Sequence, residues 1–440
     1  MAKSKNINIL RTPVIPKDWV MKELGQLFDF KNGINASKED YGNGVKFINV
    51  MEVIYHDCII ANMIPGSVKI SKKQINDFSV KRGDVLFNRT SETTNEIGLA
   101  AVYLDDEKVV FGGFVIRGVP KDKSLFDEYK KYCFHSKFVR DQIIKVGQGA
   151  VRTNIGQGDL EKVKLPFPAL PEQKAIAHIL SLMDIEIKKN NELISKKGLQ
   201  KKWLMQNLLT GKKRLLSNKS EAKTNKWITV KLGDTFEFIK TYSISREGLS
   251  KISSEDLIYC IHYGDIHALY ENEFLDFSVQ QSIPQIIDET QAINERDYLK
   301  DGDIIMADAS EDYEGVGEVV EVVNLDNKIA VGGLHTIVLR GNNDIIVNGF
   351  SGYLFSGEVV RNRLRKLATG SSVYSVTKTT LQNLTLVIPG SLKEQTAIAN
   401  VMQAADKEIQ LLKAKRDKLK EKKKGLMQIL LTGKKRLKTK

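Results

Sequence analysis

Two short polar stretches in the first half of the chain carry side chains suited to hydrogen-bonding a base edge. One is Asn88-Arg89-Thr90-Ser91, and the other holds Gln148, Arg152, Thr153 and Asn154. Arg or Lys can offer paired donors to guanine, and Asn or Gln can offer a donor and an acceptor to adenine. The second half offers Asp308 and Ser310 after a similar apolar run, then Ser371, Ser372, Tyr374, Ser375 and Lys378. A glycine-containing loop with Lys31, Asn32 and Asn35 aligns with Lys240-Thr241-Tyr242-Ser243, and Tyr259–Asp265 adds His262 and Tyr263. Taken singly, each of these could equally be a turn residue or a helix cap.

Catalytic motifs are weak by comparison. The chain has no Pro-Pro dipeptide, so the N-P-P-Y turn that would hold a flipped base's amino group is missing. Gly211-Lys212 and Gly433-Lys434 lack the upstream glycine and the following Ser or Thr of a phosphate-binding loop. Asp301/Asp303 and Asp308/Glu311/Asp312 could ligate a metal, but acidic loops are common and no lysine completes a nuclease constellation. Cys58, Cys133 and Cys260 are far apart and form no C-x-x-C, and the six histidines form no H-E-x-x-H. No apolar run is long enough to span a membrane, and residues 1–11 have no signal-peptide core. The expectation is a cytoplasmic, reduced protein without a membrane role.

What gives the polar stretches meaning is an internal duplication. Leu208–Leu215 reads L-L-T-G-K-K-R-L and recurs unchanged at Leu430–Leu437, an offset of 222 residues. At that offset Glu172-Gln173 returns as Glu394-Gln395, and A-I-A at 175–177 returns at 397–399. Gly83-Asp84 matches Gly302-Asp303, Phe111-Gly-Gly-Phe matches Val331-Gly-Gly-Leu, and the region after Trp19 matches that after Trp227. Positions that share this frame but differ in residue are the best candidates for reading two different partners. Gly83-Asp84 and Gly302-Asp303 themselves are expected to be structural turns.

The most strongly repeated segment must be a long helix in each half. Spacings of four and three place Ile176, Leu180, Met183, Ile187, Ile194, Leu204 and Leu208 on one face. The second copy places Ile398, Met402, Ala405, Ile409, Leu412, Leu419, Leu426 and Leu430 there. This is a coiled-coil seam. A helix over 172–209 would be about 57 Å long, with Pro171 just before it, Gly198 and Gly425 inside the pair, and Gly211 and Gly433 at their ends. Two equal helices in one chain pack most economically against each other, antiparallel. The basic ends Lys212-Lys213-Arg214 and Lys434-Lys435-Arg436 suit either phosphate contact or the helix C-terminus.

Between the helices the pattern is α+β. β-rich runs are expected at 45–50, 84–87, 98–104 and 109–116, and again at 303–306, 317–323, 329–331 and 335–339; helices are expected at 128–145 and 356–367. The organisation read from this is a globular domain over 1–170, a helix over 171–215, a linker over 216–225, a second domain over 226–393 and a second helix over 394–440. The net charge of +13 implies an anionic partner but is unevenly spread. Residues 1–170, 171–215, 216–393 and 394–440 carry +6, +6, −8 and +9, so the helices supply the excess and the second domain is acidic.

In this order, I-P-x-x-W-x-x-x-x-L-G from Ile15, V-K-R-G-D-V-L-F-N-R-T from Val80, E-Q-x-A-I-A twice and L-M-Q-x-L-L-T-G-K-K-R-L twice make the chain resemble the DNA-specificity subunit of type I restriction-modification systems along its full length. The second half departs in having no Pro ahead of Trp227. The resemblance implies two target-recognition domains that each read one part of a split double-stranded DNA site. It also implies paired helices with pseudo-twofold symmetry that dock two modification (methyltransferase) subunits, with restriction (motor-nuclease) subunits completing the complex. It implies no cofactor on this chain, with S-adenosylmethionine, ATP and Mg held by the partners. The competing readings are an enzyme with an unrecognised nuclease or methyltransferase site, and a coiled-coil scaffold with no nucleic-acid role.

Overall fold

In the computed structural model the described residues are 14–149, 152–215, 226–250, 257–270, 273–280, 283–287 and 292–437. The chain forms two units, one of residues 1–191 with 414–440 and one of residues 192–413. Each unit is a mixed α+β body, and the same large sheet is built twice. The first holds a five-stranded sheet in the order Phe28–Asn32, Val115–Pro120, Val85–Asn88, Ala100–Tyr103, Cys58–Ile59. The second repeats it as Phe236–Ile239, Thr336–Gly341, Ile304–Ala307, Val319–Val323, Phe274–Asp276. All ladders are antiparallel except the last pair in each, which is parallel. A smaller four-stranded sheet in each unit contains the parallel pair Tyr41–Ile48 with Val109–Phe111, or Tyr259–Ile261 with Ala330–Gly332.

The run expected as one strand at 109–116 is two. Val109–Phe111 belongs to the small sheet and Val115–Pro120 to the large one, because Gly112-Gly113-Phe114 turns the chain between them. The helix expected at 128–145 is likewise divided into Asp127–Cys133 and Lys137–Val146, with Ser136 capping the second through its hydroxyl. The one expected at 356–367 ends and restarts at Gly357. The segment expected as a linker, 216–225, lies outside the described residues.

The long helices run Leu170–Leu208 and Leu392–Leu430, 39 residues each. Pro171 sits inside the first turn rather than before it, which its missing N–H permits. Every position of the expected seam is buried or half-buried, and Gly198 and Gly425 face open space. Within the first unit Asp184 meets Lys423 (2.5 Å) and Glu186 meets Lys415 (3.5 Å); within the second Lys197 meets Glu408 (2.8 Å) and Lys201 meets Asp406 (2.6 Å). In both, rising numbers on one helix meet falling numbers on the other, so the paired segments are antiparallel.

Each unit's core is completed by the start of one helix and the end of the other. Ile176, Ala177 and Leu180 pack with Leu430, Leu431 and Trp19 in the first unit. Ile398, Ala399 and Met402 pack with Leu208, Leu209 and Leu232 in the second. The invariant-looking repeat residues sit at this junction. Buried Glu394 receives Arg214 through Nε and Nη2 at 2.5 and 2.6 Å, and buried Glu172 receives Arg436 at 2.6 and 2.8 Å. Arg436 also grips Asp18, and Trp19 Nε1 donates to Glu172 (2.8 Å). Gln173 Nε2 donates to the Ser124 and Pro168 carbonyls and its oxygen accepts from the Phe126 amide; Gln395 does the same with Ile345, Pro389 and Val347. Gly211 and Gly433 adopt φ of 70°, the left-handed turn that lets the chain leave the helix. The two arginines of the basic ends are thus spent on glutamates inside the protein, while Lys212, Lys213, Lys434 and Lys435 remain exposed.

A second polar clamp also recurs, its Lys–Asp pair at the 222-residue offset. Lys423 Nζ bridges Asp184 and Asp57 (3.7 Å), and the Tyr132 hydroxyl donates to Asp184 (2.7 Å). Its copy joins Lys201 to Asp406 and Glu273 (2.8 Å), with Tyr353 donating to Asp406 (2.6 Å). Burial works against the Lys201 ammonium, yet the two carboxylates outweigh it and raise its pKa. Replacing Lys201 or Lys423 with Met would leave two carboxylates facing each other without a counter-charge. Each variant is expected to lose roughly 2 kcal/mol of unit stability by chemical denaturation, and an unchanged midpoint would show that the clamp is incidental.

Glu321 distinguishes the second unit. Fully buried on the strand Val319–Val323, it accepts from the amides of Gly349 and Gly352, and burial pushes its pKa up to about 7 from 4.5. A carboxyl whose folded pKa is raised contributes stability below its unfolded value and loses it as pH climbs through the folded one, on the order of 3 kcal/mol for this shift. Glu321→Gln is therefore expected to flatten the fall in Tm of the second unit between about pH 5 and pH 8, whatever its absolute Tm. A pH slope equal to that of the unaltered protein would contradict the assignment.

Candidate nucleic-acid interface

Polar stretches far apart in sequence meet as one ribbon in each unit. Thr90-Ser91 pairs antiparallel with Thr153-Asn154, and Gln148 bridges to Asn154. In the second unit Ala309-Ser310 pairs with Tyr374-Ser375, and Thr369 bridges to Ser375. Each hairpin turns at a glycine with φ of 128°, Gly149 or Gly370, where a Cβ would lie 1.9 Å from the carbonyl oxygen of Arg152 or Val373. Only glycine fits there.

On the first ribbon the Thr90 hydroxyl donates to Asn154 Oδ1 (2.7 Å), and exposed Arg152 reaches Glu92 (3.3 Å). Gln148 and Asn154 are exposed, while Thr153 and Arg89 are half-buried. Arg89 Nη1 donates to the Gly113 carbonyl (3.2 Å) at the foot of the glycine turn that carries Phe114. Exposed Asn35 packs against Gly113 from the other side. A cleft of about 340 Å³ opens beside the ribbon, lined by Val50, Met51, Ile54 and Phe114 together with Thr90, Ser91, Glu92, Glu96 and Arg152.

Several candidates are corrected by burial, and others are held by partners within the protein. Asn88 is fully buried, donating to the Glu96 carbonyl (3.0 Å) and accepting from the Thr90 amide, and buried Ser91 donates to Glu96 (2.8 Å). Both shape the turn. Asn32 lies in the sheet opposite Ile116, and Lys31 is drawn to the Asp77 carbonyl (2.8 Å) and the Phe78 ring. In the second unit Tyr242 is buried, its hydroxyl on Asp297 (2.8 Å), with Lys240 over its ring. Buried His262 caps the helix Tyr263–Ala268 by accepting from the Gly264 amide (3.2 Å), and burial lowers its pKa. Ser310 is buried and accepts from the Asp312 amide.

The second-unit residues left facing out are Lys240, Tyr263, Asp308, Ser371, Ser372, Tyr374, Ser375 and Lys378, from half-buried to exposed. The Tyr374 ring meets Tyr313 edge-on at 5.4 Å. Asp308 sits under exposed His335, whose Nδ1 lies 3.2 Å from its carboxylate. Burial raises the Asp308 pKa, against the pull of that histidine. Phe114, Glu92 and His335 were not singled out by sequence. The Gly-Gly turn matched in both halves was the available signal, since it precedes an exposed ring in each.

The acidic loops serve structure. Asp303 accepts both Arg340 and the Lys300 amide, Asp301 accepts the Leu325 amide, and Asp312 accepts the Gly315 amide (2.5 Å). Gly83 and Gly302 have φ of 90° and 94°, as turns require. Among the described residues no group of three His, Cys, Asp or Glu side chains could hold a metal ion, and no helix is long and apolar enough to cross a membrane.

A twice-built α+β unit displaying a differently furnished ribbon defines a tandem recognition protein. The profile of the family described as "Type I restriction modification DNA specificity domain" matches residues 16–196 and again 224–421, and the chain belongs to this family. Two relatives from Methanocaldococcus jannaschii are similar over 99% of this chain. They are the putative type I restriction enzyme MjaX specificity subunit (26% identical, 98% of its length) and the MjaVIII specificity subunit (23%, 97%). Among solved structures, the type I S subunit from M. genitalium (TM-score 0.50, 15% identity) covers 98% of each chain. The HsdS subunit from Thermoanaerobacter tengcongensis (0.51, 16%) covers 95% of this chain and 96% of its own. A chain from a type I R-M complex (0.59, 13%) covers 95% and 99%. These share the fold.

Gly149→Ala tests the ribbon without touching the core. The hairpin must move to admit the methyl group, so DNA affinity is expected to fall about tenfold, the equivalent of one lost contact, with little change in Tm. Unaltered affinity by fluorescence anisotropy would remove the hairpin from the interface.

Proposed function

We propose that this chain is the non-catalytic subunit that recognises a bipartite double-stranded DNA target and directs methylation or cleavage by its partners. One observation carries the reading: the same ribbon is built twice in one chain, with different side chains at equivalent places. One fold holding two sets of donors and acceptors is what a split target with unlike halves demands. The half-targets lie about one helical turn apart, the spacing that groove geometry imposes on paired readers. Residues 1–170 and 226–393 act as the two target-recognition domains, and the paired helices receive two modification subunits, with restriction subunits completing the complex. S-adenosylmethionine, ATP and Mg belong to those partners, and this chain binds none of them. The assembly works in the cytoplasm. Exposed Arg152 and Lys378, together with the lysines of the helix ends, supply phosphate contacts that position without specifying.

Replacing residues 1–170 with the corresponding region of another family member is expected to change one half of the methylated motif, read by methylome sequencing, and to leave the other intact. A change in both halves would refute the division of labour. Turnover by the purified chain alone, given DNA, methyl donor and magnesium, would refute the non-catalytic role.

A further inference from the structure

The backbone corrects the alignment of the Gly-Gly turns by one residue. Sequence pairs Phe114 with Leu334, but the Arg89 amide donates to the Phe114 carbonyl (2.9 Å) and the Asp308 amide donates to the His335 carbonyl (3.1 Å). On the adjacent strands Val115 faces Asn88 and Thr336 faces Ala307. Phe114 and His335 are therefore equivalent, as are Arg89 and Asp308. Both rings are about half exposed, Phe114 at 53% and the His335 side chain at 51%, and each stands beside its unit's ribbon. Their surroundings differ in kind. Phe114 forms an apolar wall with Val50, Met51 and Ile54 in a cleft that Glu92, Glu96 and Arg152 also line. His335 stands on Asp308 with its ring 5.2 Å from Tyr263, and adopts φ of 53°, a left-handed conformation uncommon for a residue with a side chain. Such a strained, exposed residue is held by its neighbours rather than by local preference.

We propose that Phe114 and His335 are the specificity-determining residues at one position of each half-target, an inference that rests on the DNA-reading role proposed above. Phe114 and its apolar wall take the 5-methyl group of a thymine in the major groove, the one apolar feature a base pair presents there. Asp308 fixes the His335 tautomer: Nδ1–H donates to the carboxylate, which leaves Nε2 as an acceptor for an exocyclic amino group, adenine N6 or cytosine N4.

The test is methylome sequencing of cells carrying the complete system with Phe114→Ala, His335→Asn or His335→Phe in this chain. Asn tolerates the left-handed conformation. Phe114→Ala is expected to reduce a preference of roughly tenfold for thymine to near parity at one position of the first half-target. His335→Asn is expected to relax one position of the second, and His335→Phe to shift it toward thymine. The unaffected half of each motif reports a folded, assembled subunit. If a variant abolishes methylation, selecting bound duplexes from a pool randomised in one half-target reads the same position without turnover. Motifs unchanged in all three variants would overturn the assignment, whereas absence of any bipartite motif in the unaltered system would instead overturn the proposed function.

Discussion

In each unit a buried glutamate holds the start of one long helix against the end of the other. Glu172 and Glu394 begin the two long helices, and each would be a costly buried charge without the arginine that ends the other helix. Because each arginine delivers that counter-charge to both oxygens of a carboxylate, each joint fixes a helix start against the helix end it meets within its own unit. The apolar residues around them follow the same logic. Neither unit closes its core with its own helix start alone; each needs the Leu-Leu pair from the far end of the other helix. The repeat of E-Q and of L-L-T-G-K-K-R-L is thus a repeat of one docking joint.

The Lys–Asp–Tyr clamps serve the same pairing further along. Their acids come from both the helix and the globular part, Asp184 with Asp57 in one unit and Asp406 with Glu273 in the other. The clamp therefore fixes a helix against its partner and against the sheet together. A rigid frame of this kind lets the ribbons diverge. Arg89 can become Asp308 and Phe114 can become His335 without altering the strands below, because those strands are held from behind.

The acidic balance of the second domain is only partly internal. Asp265, Asp303 and Glu273 are engaged by Arg246, Arg340 and Lys201. Among its described residues the buried acids are Asp265, Asp297, Asp303 and Glu321, while most of its carboxylates lie at the surface.

From the amino-acid order alone came the duplication, the α+β character, the two helices with their seam and the family resemblance. Each rests on a short-range period or a literal repeat, which survives without knowledge of tertiary neighbours. Strand divisions at Gly112-Gly113 and helix divisions at Ser136 and Gly357 were not legible, since composition does not say which sheet or layer a residue will join. The candidate site was half legible. The stretches around Arg89 and Asn154 were marked separately, but their pairing depends on contacts between residues more than sixty positions apart. Burial then removed Asn88, Ser91, Tyr242, His262 and Ser310, whose polar atoms are consumed by turns and caps. Exposure and backbone register, which only the folded chain possesses, brought forward Phe114 and His335. The repeat was written in the sequence, whereas which side chain occupies equivalent space in its two copies was decided by hydrogen bonds between strands.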